Sequence, residues 1–162
     1  MKRIIFSGPD GIAAVLIPAY VDEVTGMRGN ETEEEYLARV IARNHETGEL
    51  GPATIFKIVD EAEIPVRHYR NAWRFDGTAI KHDMAVARRM KLDEEIRPER
   101  NQRLAKKDVE FSRALATGNQ ATADSVEASR QALRDLPETV QPTLDAITDP
   151  VALKAFTPAW PA

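Results

Sequence analysis

The sequence predicts an α+β fold: a small ββαβ(β) head, a helical-hairpin arm and an extended Pro-rich tail. Three observations carry that expectation. Short runs rich in β-branched and aromatic residues crowd positions 1–79, and a stretch rich in Ala, Arg, Lys, Glu and Leu runs from 80 to 117 without a glycine. Five prolines then fall between Pro137 and Pro161. The expected divisions are therefore residues 1–79, 80–136 and 137–162.

In the head, "RIIFSGPDGIAAVLIP" reads as two strands, about 3–6 and 12–17, with Pro9-Asp10-Gly11 as the turn of a hairpin. A polar loop over 19–31 follows. The helix in "ETEEEYLARVIARNH" has its start written into it. Thr32 caps, Glu35 three residues on completes a capping box, and the neighbouring glutamates suit the positive end of the helix dipole. Tyr36, Leu37, Val40 and Ile41 form one apolar face. Gly48 and Gly51-Pro52 end the element. "ATIFKIVDEAEIP" predicts a third strand near 54–59, and the aromatic "RHYRNAWRF" a fourth.

The arm is expected to start at about residue 79. Gly77 would allow a sharp change of direction, with Asp76 or Thr78 as the helix cap. Pro98 lies inside the arm and predicts a kink or a break. Thr117-Gly118-Asn119 is a helix stop, and "ATADSVEASRQALRDLP" is a second helix ending at Pro137. Two such helices make an αα-hairpin. The tail has at most one helical piece, near 150–156. It keeps Leu144, Ile147, Val151, Leu153, Phe156 and Trp160, too apolar for a solvated linker.

The 162 residues are 43% apolar and 30% charged, which suits a folded protein rather than a disordered one. No apolar run approaches the roughly 18 residues that span a bilayer. The stretch MKRIIF before Ser7-Gly8-Pro9 is shorter than the apolar segment of about 7–15 residues in a secretory signal, so synthesis in the cytoplasm is expected. The absence of cysteine excludes disulfides, thiolate zinc sites and a thiol nucleophile. Charge is uneven. Residues 1–79 hold 9 basic and 13 acidic side chains, residues 80–117 hold 10 and 7, and residues 118–162 hold 3 and 6. A mildly basic arm between acidic segments is not the clustered cation face that nucleic acid requires.

Chemistry-bearing motifs are sparse. His82-Asp83 beside Asp76 could be drawn as a metal site, but a metal needs three or four converging ligands, and His82 is expected on the first turn of a surface helix. The Glu31–Glu35 run reads as helix-start charge. Tyr69, Trp73 and Phe75 could stack bases, yet suit a sheet core better. Arg88, Arg89, Arg97, Arg100 and Arg103 alternate with Asp93, Glu94, Glu95 and Glu99, as on a solvated, ion-paired helix face. Trp160 could anchor in a partner's pocket or dock on its own domain.

The "RNAW…DG" junction, "DMAVAR", "IRPERNQRLAKKDVEF" and "QALRD" before a proline resemble a group of small tailed-phage proteins encoded near tail-fibre genes and described as tail assembly chaperones or tail-fibre assembly proteins. The likeness covers about residues 1–136 and is best over 67–136. It implies a non-enzymatic protein with no cofactor and no metal. Its partners would be phage tail, baseplate or tail-fibre proteins in a multi-subunit assembly, and its location the virion tail. Two alternatives stand beside that reading: a transient tail-fibre chaperone absent from the particle, and a small nucleic-acid or regulatory binder using the basic arm. Partner contact is expected at Trp73, Phe75, Leu104, Phe111, Phe156 and Trp160.

Overall fold

Strand β1 (Lys2–Ser7) owes its place to two adjacent isoleucines. Successive strand residues point to opposite faces, and Ile4 and Ile5 are both buried, so β1 needs a cover on each side. The computed structural model, which describes residues 1–21, 26–48, 50–51 and 54–161, shows both covers. The chain forms two compact units, Met1–His82 and Asp83–Ala162. Both helix and strand are present, in keeping with an α+β chain.

In the first unit, β2 (Ala13–Leu16) returns antiparallel to β1 through the expected turn. Gly11 holds a positive φ of 75°, Asp10 Oδ1 accepts from the Ile12 N–H, and the Gly8 N–H donates to the Ile12 carbonyl at 2.8 Å. Helix α1 (Glu33–Glu46) starts on the expected capping box. Thr32 accepts from the Glu35 N–H, and Glu35 accepts from the Thr32 N–H at 2.8 Å. Strand β3 (Phe56–Asp60) pairs antiparallel with the other edge of β1, giving the order β2-β1-β3. Of the loop read over 19–31, residues 22–25 lie outside the described residues, as does Pro52 of the Gly51-Pro52 stop.

The α1 face of the sheet packs Ile4 with Tyr36 and Leu37, joined by Leu16, Val40, Ile41 and Phe56. The opposite face packs Ile5, Ala13 and Val59 against Trp73 and Ile80. Those last two belong to a separate ribbon, β4 (Trp73–Phe75) and β5 (Ile80–His82), paired antiparallel. The ribbon corrects the expected junction. Residues 80–82 are strand, not helix, and Asp76-Gly77 is a hairpin turn. Asp76 Oδ1 accepts from the Thr78 N–H, the Thr78 hydroxyl and the Ala79 N–H, and Gly77 takes φ 91°. The reason is pairing: Phe75 faces Ile80, and both bury apolar surface against the sheet. An Asp-Gly pair flanked by alternating apolar residues is a hairpin signal.

The second unit starts at Asp83, whose carboxylate accepts from the Ala85 and Val86 N–H groups and caps α2 (Met84–Met90). The helical path continues through a π-helical segment, Lys91–Ile96, into α3 (Arg97–Ala116). Pro98 therefore does not break the arm. The wider π turn before it, with the Arg97 N–H bonded to the Leu92 carbonyl five residues back, gives room for a ring that lacks a donor. Gly118 and the Asn119 cap turn the chain into α4 (Gln120–Ala146).

Helix α4 does not stop at Pro137. It carries Pro137 and Pro142 internally. Each proline in a helix interior costs about 3 kcal/mol. That cost is outweighed by the buried side chains on either side: Leu133, Leu136, Val140 and Leu144 follow one stripe and lie at or below 6% exposure. The tail is accordingly not extended as a whole. Helix α5 (Pro150–Ala155), capped by Asp149 and buried at Leu153, lies where a short helical piece was expected.

Two stability outcomes follow. Trp73→Ala removes the largest fully buried side chain of the first unit and should cost about 3–5 kcal/mol in urea unfolding. Pro142→Ala, at an exposed position of α4, should stabilise by about 1–3 kcal/mol in the same measurement.

Candidate interaction surfaces

The six expected contact residues fall into different environments. Trp73 is only 1% exposed. Its indole N–H lies 2.9 Å from His82 Nε2, which is also 2.8 Å from the His68 carbonyl. One nitrogen cannot accept from the indole and donate to the carbonyl at once, so the imidazole makes one bond or the other according to its tautomer. Trp73 is thus a core residue and does not offer its ring to a partner. Phe75 is half-buried against the same cluster.

The other four lie on the second unit and are half-buried. Phe111 of α3 carries the Arg130 guanidinium of α4 4.6 Å above its ring, and Arg130 also bonds Asp108 at 2.8 Å. Trp160 is stacked under Arg103 of α3 at 4.6 Å, while Arg103 bonds Glu99 at 2.9 Å. Trp160 is therefore docked on its own unit and half-buried there. Leu104 lies on α3, and Phe156 follows α5 as its C-cap.

A charged clasp that sequence reasoning passed over ties α5 down. Lys91 is 5% exposed, and its ammonium donates to Glu95 Oε2 at 2.8 Å and to the Lys154 carbonyl at 3.2 Å. Lys154 donates to the other Glu95 oxygen at 2.8 Å. Arg88 donates twice to the Ile147 carbonyl, at 3.1 and 2.8 Å, closing the end of α4. Lys91 and Glu95 stand four residues apart on one helical face. The third member lies 59 residues further along the chain, and only folding brings it there.

The remaining candidate chemistry is engaged in structure. His82 is on β5 rather than a helix, and Asp83 is a cap. Glu31 is bound by Arg39 at 2.9 and 2.7 Å. Those bonds, with the Arg28 N–H, lower its pKa to about 2. Glu33 accepts from the Tyr20 hydroxyl at 2.8 Å. Among the described residues no group of three or more His, Asp or Glu side chains is placed to hold a metal ion, and no helix is long and apolar enough to cross a membrane. The arm's cations are largely paired: Arg97 with Asp93, Arg103 with Glu99, Lys107 with Glu110, and Arg134 with Glu127.

Comparison of the chain with family models, with curated proteins and with solved structures finds no match.

The clasp gives a pH dependence. Burial alone would raise the Glu95 pKa, but the bonds from Lys154 and Lys91 outweigh it and hold the carboxyl below its ordinary 4.5. A depressed folded pKa stabilises fully above the unfolded value and loses that stability as pH falls through the folded value. Glu95→Gln should cost about 1–2 kcal/mol at pH 7. In thermal melts its gap to the unchanged protein should close as pH falls below 4.5.

Proposed function

We propose that this chain is a non-enzymatic tail or tail-fibre-associated protein of a tailed bacteriophage, built as a ββαβ head with a helical arm, and acting by protein–protein binding as a structural adaptor or assembly factor. The arm is the observation that carries the reading. Its helical path from Met84 to Ala116 is unbroken, and α4 returns along it. Val109 and Leu115 remain about half exposed on α3, as does Val151 on α5. Leu104, Phe111, Phe156 and Trp160 stay partly accessible beside them. Exposed apolar side chains on a rigid helix suit helix-face recognition by another protein. The resemblance over residues 67–136 supplies the biological setting. The ion pairs along the arm weigh against the nucleic-acid reading, because a cation already held by a carboxylate has less to offer phosphate.

Mass spectrometry of purified particles tests the proposal. A fixed copy number relative to the major tail protein is expected. Recovery only from the lysate, bound to fibre protein, would make the chain a dissociable chaperone, and absence from both would overturn the tail reading. The double substitution Val109→Glu and Leu115→Glu should leave the melting temperature within a few degrees, since both sites are exposed. It should lower the copy number in particles at least tenfold.

A further inference from the structure

Among the described residues no strand pairs with the outer edge of β2, which is uncharged and flanked on both faces by arginine-bearing clefts. The order β2-β1-β3 leaves β2 at an edge. In the β1–β2 ladder the Gly8 N–H bonds the Ile12 carbonyl, with Ser7 opposite Ala13, so bonded and non-bonded pairs alternate from that point. The backbone groups of Ala14 and Leu16 therefore face β1, and those of Val15 and Ile17 face outward. Among the described residues no hydrogen bond reaches Val15 or Ile17 from that side. Natural edges are blunted by lysine, proline or bulges. The run Ala13-Ala14-Val15-Leu16-Ile17 has no such guard before Pro18, and Ile17 is 52% exposed.

Two clefts border this edge. On the α1 side, Leu16, Ile17 and Val40 line one with Arg39 and Arg43. On the opposite side, Val15, Ile17 and Ile64 line the other with Arg3, Arg67 and Arg70. Arg39 is paired with Glu31, and Arg3 with Glu61. Among the described residues Arg43, Arg67 and Arg70 have no carboxylate partner.

We infer that β2 receives an extended acidic segment of a partner protein as an added strand. A strand sends alternate side chains to opposite faces, so one that pairs with Val15 and Ile17 supplies both clefts in turn. Main-chain bonds would hold it, and the unpaired arginines select acidic over basic side chains. Charge also disfavours a second copy as occupant. Pairing β2 with its own equivalent would bring two sets of these arginines together. The inference rests on the protein-binding reading above only in taking the partner to be a protein.

The test uses the full chain and two labelled eight-residue peptides, one alternating Val and Glu, the other Val and Lys. The acidic peptide should bind at least tenfold more tightly. It should also slow amide exchange at Val15 and Ile17, measured by NMR, at least tenfold. Ile17→Lys, at an exposed site, should keep the melting temperature and weaken binding at least tenfold. The pair Arg67→Glu and Arg70→Glu should reverse the peptide preference. Equal binding of both peptides, binding without protection of those two amides, or no binding at all would overturn the inference. So would a dimer in sedimentation that Ile17→Lys dissociates. No particle is involved, so failure here leaves the tail reading intact, and absence from particles leaves strand addition intact.

Discussion

The first unit depends on one constraint: β1 is buried on both faces. Ile4 and Ile5 are 0% and 2% exposed, although neighbouring strand residues point in opposite directions. A three-stranded sheet with one wet face would not satisfy both. Helix α1 answers for Ile4 through Tyr36 and Leu37, and the β4–β5 ribbon answers for Ile5 through Trp73 and Ile80. The ribbon is two strands of three residues each, too short to persist alone. Its stability comes from the sheet it covers. That dependence explains why Trp73, one of the expected contact residues, takes the core place that its aromatic run also suits.

The second unit solves a different problem. A helix hairpin has only one seam in which to bury apolar surface. Helix α4 fills it with Ala123, Val126, Leu133, Leu136, Val140 and Leu144, all buried and spaced three, four or seven residues apart along one face. The stripe runs past both prolines, and continued burial outweighs their missing donors. Polar contacts then secure the ends. Arg88 satisfies the Ile147 carbonyl after the last turn of α4, and Lys91 and Lys154 share Glu95. Lys91 is tolerated in the interior because its ammonium meets both a carboxylate and a carbonyl.

Such an architecture directs attention to what it leaves open. Both units engage most of their charged and aromatic side chains internally. Among the described residues, the first unit leaves a strand edge without a paired strand beside unmatched arginines, and the second leaves a few exposed apolar side chains on its helices. Strand addition and helix-face docking are two of the ordinary ways proteins recognise proteins.

Local signals were legible in the residues themselves. The Pro9-Asp10-Gly11 turn, the Thr32–Glu35 capping box and the Gly118-Asn119 stop depend on side chains a few positions apart, so sequence alone determined them. Sequence reading misplaced the start of the arm because Ile80-Lys81-His82 carries no strand preference strong enough to override the helical composition that follows. Strand pairing with Trp73–Phe75 decided it. Pro137 was read as a stop because a proline's local cost is fixed, whereas the burial of Val140 and Leu144 that offsets it depends on residues elsewhere in the fold. The Lys91–Glu95–Lys154 clasp and the open edge of β2 were equally hidden. Sequence determines which residues can cap, turn and alternate. Only the tertiary structure decides which faces are covered and which edges stay bare, because burial is a property of residues brought together from far apart in the chain.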